Sequence, residues 1–163
     1  MGLFSRKKSD RPTEPDYGVY LTEVQGSVAA AIIVDLALHE VAPIKKLPYC
    51  FALHVPYEVE TESGLPTEEQ LEQLTGVEAT VLDVADETIP HRHAATVTAE
   101  GNRNILLYVP SQASLAAFTD RLIARLGEQA PALGFTEYED AAWETYFEDV
   151  YPNPQQLAEI RSR

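Results

Sequence analysis

Residues 94–109 read AATVTAEGNRNILLYV, two β-prone runs around a turn. Thr96 and Thr98 alternate with apolar neighbours in Ala94–Ala99, Glu100-Gly101-Asn102 supplies the turn, and Ile105–Val109 answers it, so the stretch predicts a β-hairpin. Working outward, a helix flanks it on each side. Upstream, Thr67 precedes Glu68, Glu69 and Gln70: its hydroxyl caps a helix, Gln70 reaches back, and two acids sit at the positive end of the helix dipole. Leu71, Leu74, Val81, Leu82 and Ala85 fall near one face of that helix, with Gly76 a weak point. Downstream, Pro110-Ser111 opens a helix whose Leu115, Phe118, Leu122 and Leu126 recur at three- and four-residue spacing, and Gly127 ends it.

Beyond both helices the pattern returns to strand, in the apolar and aromatic run Tyr49–Val59 and the short run Phe135–Glu139. The order from Tyr49 is therefore β-α-β-β-α-β, which predicts an α+β fold of the ferredoxin-like kind, an antiparallel sheet with both helices on one face. Tyr17–Val24 and Val28–Leu36, around the turn Gln25-Gly26-Ser27, add an N-terminal β-hairpin, although the alanines of Val28–His39 also suit a helix. Asp140 can cap a C-terminal helix that turns Trp143, Phe147 and Val150 inward, leaves Tyr146 nearer the rim, and stops at Pro152 and Pro154. That helix, or a second subunit, is the natural cover for the other sheet face. The expected organisation is a disordered basic tail over residues 1–14, one domain over 15–154, and a tail or helix end over 155–163.

A chain of 163 residues with 45% hydrophobic content makes one ordinary domain with a sizeable core. Charge is unevenly spread. The whole chain carries −14 and its first eleven residues +3, from Arg6, Lys7, Lys8 and Arg11 against Asp10, so the rest carries −17. Such a body repels phosphate backbones, disfavours direct nucleic-acid binding and attracts a basic protein; plain solubility is the simpler reading of the same charge. The single Cys50 lies in the apolar run Pro48–Ala52 and reads as a small buried hydrophobe, consistent with a reducing cytoplasm. No apolar run is long enough to span a bilayer, and Met1–Lys8 lacks the apolar stretch of a secretory leader; its few cations would touch an anionic membrane only weakly.

Candidate chemistry is sparse. His91 and His93, two apart, would share a strand face and could chelate a metal, but no third ligand lies near, and a polar loop entering a strand is the plainer reading. Glu58, Glu60 and Glu62 would share one solvated side of an extended strand, which also protects a sheet edge. The glycines form no phosphate loop, and nothing like a nucleophile elbow surrounds Ser111 or Ser114. No cofactor is implied. The most unusual stretch interleaves Tyr138, Trp143, Tyr146, Phe147 and Tyr151 with acids, either a helix closing the core or an aromatic and acidic interface.

Gly64-Leu65-Pro66, Thr98-x-x-Gly101-x-Arg103 with Tyr108, and Asp140-x-x-Trp143-x-x-Tyr146 followed by Tyr151-Pro152 resemble the bacterial family known as domain of unknown function 695. That family is similar to the regulator of ribonuclease E activity B, a ferredoxin-like protein that binds and restrains an RNA-degrading enzyme. The resemblance covers roughly residues 14–154 and implies protein binding without known chemistry. The expectation is a noncatalytic, cytoplasmic binding or regulatory module for a basic protein such as a nuclease, with Arg103, Tyr108, Trp143, Tyr146 and Tyr151 as candidate partner-binding residues. The alternatives are a small enzyme using His91 or His93 with a carboxylate, and a structural homodimer.

Overall fold

A computed structural model describes residues 14–24 and 27–163; the expected basic tail, apart from Glu14, and Gln25-Gly26 of the first turn lie outside them. Six strands form one antiparallel sheet: β1 (Tyr17–Val24), β2 (Ser27–Asp35), β3 (Tyr49–Pro56), β4 (Arg92–Ala99), β5 (Asn102–Val109) and β6 (Gly134–Glu139). Their order across the sheet is β1-β2-β4-β5-β3-β6. Helix α1 (Glu68–Thr88) joins β3 to β4, and α2 (Leu115–Leu126) leads towards β6. The alternative helix over Val28–His39 is not formed through β2, because that segment pairs with β1 on one side and β4 on the other.

The local chemistry read from the sequence operates as expected at several points. Ala99 pairs with Asn102 across Glu100 and Gly101, both at positive φ, the mirror-type turn whose twist suits a hairpin. The Thr67 hydroxyl accepts from the Gln70 N–H while Thr67 N donates to the Gln70 side chain, closing the capping box of α1. Strand β3 ends at Pro56, three residues short of the expected Val59. Pro56 has no N–H to continue a ladder, and the Tyr57 N–H turns to Gly101 O at 2.8 Å. Glu58, Glu60 and Glu62 therefore lie in the connection to α1 and not along a strand.

The pleat gives the sheet two differently covered faces. Phe51, Leu53 and Val55 of β3 with Ile105, Leu107 and Val109 of β5 bury against Leu74, Val81, Val84 and Ala85 of α1 and Leu115, Phe118 and Leu122 of α2. On the opposite face, Tyr20, Ile32, Val34, Cys50, Ala52, Leu106 and Tyr108 pack against Trp143, Tyr146 and Val150. The cover expected there is thus supplied by the chain's own C-terminal segment.

That segment differs from a simple helix. Asp140 accepts from the Glu144 and Thr145 N–H groups at 2.8 and 3.1 Å, as a cap should, but residues Thr145–Val150 wind as a π-helix behind Trp143, which sits at φ 57°. The changed winding takes Tyr146 off the rim and buries it fully, its hydroxyl donating to Asp35 O at 2.7 Å, while Phe147 is only partly buried. Pro154 opens a helix instead of stopping one: Asn153 caps α3 (Pro154–Arg161) with Pro154 in its first turn, the position where its missing N–H is harmless. Leu157 and Ile160 of α3 pack on the second core.

Candidate functional site

Register decides where the sheet is bare. One row across it runs Val19, Ile33, Thr96, Ile105, Leu53, and the next runs Leu21, Ala31, Thr98, Arg103, Val55. The β3 and β5 members of both rows lie under the helices, but the β1 members do not: Val19 is 46% exposed and Leu21 54%, and Tyr17, paired with Asp35 in a further row, is 46% exposed. The β2 residues Ala31 and Ile33 are half-buried. Leu71, expected on the buried side of α1, is 43% exposed and faces the same gap. A trough therefore runs between α1 and the β1–β2 pair.

Two depressions lie end to end in it. One, of about 330 Å³, is lined by Val19, Ile33, Leu65, Leu71, Thr75 and Arg103 among others. The second, of about 300 Å³, is lined by Tyr17, Leu82, Asp86, His91, Arg92 and His93 among others. Tyr17 and Val19 are two apart on one strand face, and Leu71, Thr75, Leu82 and Asp86 progress along α1 in steps of a turn or two, so strand and helix form continuous walls. A separate depression of about 570 Å³, with Val55, Tyr57, Leu74, Val77, Gln129 and Leu133 in its lining, lies beyond the end of β3.

A polar chain divides the trough. Arg103, 3% exposed, reaches Glu78 of α1 through Nε at 3.3 Å and Nη2 at 3.4 Å, and donates from Nη1 to Thr98 Oγ1 at 3.0 Å. Thr96 donates to Glu78 Oε1 at 2.7 Å, so its oxygen accepts from His93 Nε2, 2.8 Å away. That assignment leaves His93 Nδ1 as the acceptor for the Tyr17 hydroxyl at 3.0 Å. Burial holds His93 below its ordinary value, opposed by the Glu78 charge, and it also pushes Tyr17 up to about 12, helped by Asp35. His93 is thus a neutral hinge between a phenol that keeps its proton and a carboxylate clamped by arginine.

A bulge makes this chain possible. His93 pairs with Leu107 and Ala95 with Leu106, so Ala94 is an extra residue, and it turns His93 to the same face as Thr96 and Thr98. Strict alternation would have put them on opposite faces. His91 precedes β4, with Nε2 3.2 Å from Asp86 and Nδ1 3.0 Å from Ile89 O. The two histidines share a cleft but aim at different partners, and no group of three or more potential ligands converges among the described residues.

Four of the five residues expected at a partner surface, Arg103, Tyr108, Trp143 and Tyr146, are buried. Tyr108 and Trp143 are fully buried, their rings stacked at 3.8 Å and 10°; the Tyr108 hydroxyl donates to Asp140 at 2.7 Å and the Trp143 indole to Leu47 O at 2.9 Å. Arg103 and Tyr146 are enclosed as well: Arg103 shares the strand face of Ile105, Leu107 and Val109 beneath α1, and Tyr146 is turned inward by the π-helical winding. Tyr151 is half-buried, stacked on His39 at 4.2 Å. The sequence reading missed Val19, Ile33 and Leu71 as a surface; the alternation of Tyr17, Val19 and Leu21 was the available signal.

This architecture, a six-stranded antiparallel sheet with two helices on one face and a side trough left open, defines an α+β protein with an incomplete helix layer. The model of the family of unknown function DUF695 matches residues 16–151, and the chain belongs to that family. No curated protein matches it. No helix among the described residues is long and apolar enough to cross a membrane.

Proposed function

We propose that the protein is a binding or regulatory module that holds a basic protein partner, in the manner of the regulator of ribonuclease E activity B. The observation that carries this reading is the fate of the cations. Among the described residues Arg92, Arg103, Arg121, Arg125 and Arg161 are each paired with a carboxylate, and Arg163 donates to Val19 O. Lys45 and Lys46 stand exposed, but acids far outnumber cations over the body of the chain, so the surface field is predominantly negative, which attracts and steers a basic protein and repels nucleic acid.

The strand order β4-β5-β3-β6, with helices in both crossovers, supports a ferredoxin-like core for the module. A bacterial cytoplasm suits its one buried thiol, which burial pushes up to about 11 and so keeps unreactive.

The test is affinity capture from host lysate at about 0.05 M and 1 M salt, where the screening length falls from above about 10 Å to about 3 Å. Basic proteins held at low salt and shed at high salt support the module. A clean lane at both salts removes it.

A further inference from the structure

We infer that the trough between α1 and the β1–β2 pair seats one amphipathic basic helix of the partner, laid beside α1 as a third helix on that side of the sheet. The inference rests on the reading of the protein as a module for basic partners, and it supplies the place and the shape of the contact.

Dimensions come first. Two neighbouring strands present a strip about 10 Å wide, and one helix with its side chains is about 10–12 Å across. Strand β1 has eight residues, a length of about 27 Å, which matches about 18 residues of helix. The bare strip thus has room for one helix and not two.

Chemistry follows along its length. Val19, Ile33 and Leu71 line one depression, and Tyr17 and Leu82 the other, so an occupant needs an apolar stripe. Glu68 and Glu72 are exposed on α1, each three residues before Leu71 and Thr75 respectively, and the Asp86 side chain, 72% exposed, stands at the far end. Cations flanking the stripe would meet these acids. The cations in the lining are closed on carboxylates, Arg103 of the first depression on Glu78 and Arg92 of the second on Asp35, and so select for neither sign.

Other occupants fit less well. Addition of a strand to β1 is opposed by α3, whose end places Arg163 on Val19 O at 2.7 Å and Arg161 on Asp16 at 3.2 Å along that edge. A second copy of this chain would bring acidic surface against acidic walls.

The probe is a fluorescent 18-residue Leu/Lys peptide of helical amphipathic pattern, titrated by anisotropy with the full chain and compared with a Leu/Glu peptide of the same pattern. The expected result is salt-sensitive binding of the Leu/Lys peptide alone, weakened about tenfold or more by Val19→Ser with Leu71→Ser, two exposed positions at which folding persists. Glu137→Gln with Glu139→Gln, on the far edge of the sheet, should leave affinity within about twofold. Equal affinity for the trough variant overturns the trough while the acidic module stands. Absence of Leu/Lys binding at low salt removes both. A wild-type dimer that the trough variant dissociates would show a second copy in the trough and overturn the inference.

Discussion

The Tyr17 hydroxyl donates to Nδ1 of His93 at 3.0 Å, tying the outermost strand of the sheet to a buried imidazole two strands away. The bond exists because the Ala94 bulge turns His93 towards the trough, and because Thr96, which donates to Glu78, accepts a hydrogen bond from the other ring nitrogen and leaves Nδ1 as an acceptor. Edge strand, central strand and helix α1 are thereby joined by one directional chain of hydrogen bonds.

That chain makes stability depend on pH. The groups that act on His93 are Glu78 and Asp35, which favour its charged form, and His91, which opposes it, but burial is the largest influence and lowers its pKa. The unfolded chain therefore takes up a proton near the ordinary histidine value of about 6.5, before the folded chain does. The contribution of neutral His93 is fully present above that value and is lost as pH falls through it towards the folded pKa. Urea midpoints measured from pH 8 to pH 5 should fall in the wild type, and less steeply in His93→Gln. Parallel curves for the two proteins would contradict the assignment.

Tyr146 gives a second prediction, opposite in sense to what a rim position would imply. Tyr146→Ala should cost about 3–5 kcal/mol, as should Trp143→Ala, because each empties a fully buried site. Tyr146→Phe keeps the packing and leaves the Asp35 carbonyl without its donor, for a loss of about 1–2 kcal/mol. Equilibrium urea unfolding separates these outcomes, and an unchanged midpoint for Tyr146→Ala would show that the ring is not packed.

These contrasts mark what the sequence made legible. Strand alternation, the Thr67 box and the Glu100-Gly101 turn are local, and each held in the structure. Tyr146 was misplaced because a 3.6-residue period was applied where the chain winds as a π-helix. Pro154 was read as a stop because Asn153 before it was not read as a cap. The histidine pair was read as sharing one strand, but His91 precedes β4 and turns to Asp86, while the Ala94 bulge sets His93 beside Thr96. The trough was hidden for another reason. Which strands α1 and α2 cover depends on the order of strands across the sheet, and no single segment carries that.

The enclosed pair Arg103 and Glu78 invites a double-mutant cycle. Removing one partner, as in Arg103→Met, strands a buried charge and should cost about 3–5 kcal/mol. Combining it with Glu78→Leu removes the orphan and should recover a large part of that loss, although Thr96 then needs a new acceptor. If the double variant loses the sum of the single losses, the two side chains are not coupled and the chain from Tyr17 to Arg103 is not a single unit.

Helix α3 should act as a guard for the edge of the sheet. Truncation after Asn153 removes Leu157 and Ile160, both partly buried against the second core, and should cost about 2 kcal/mol. It also removes the Arg163 contact to Val19 O and the Arg161 contact to Asp16, uncovering backbone on β1 beside Tyr17, Val19 and Leu21. An apolar strand with an unguarded edge pairs readily with another chain. The truncated protein should therefore self-associate at concentrations where the full chain does not, with faster amide exchange in β1 than in β5. Sedimentation and hydrogen-exchange mass spectrometry read both effects, and a truncated monomer with unchanged exchange in β1 would show that α3 guards nothing.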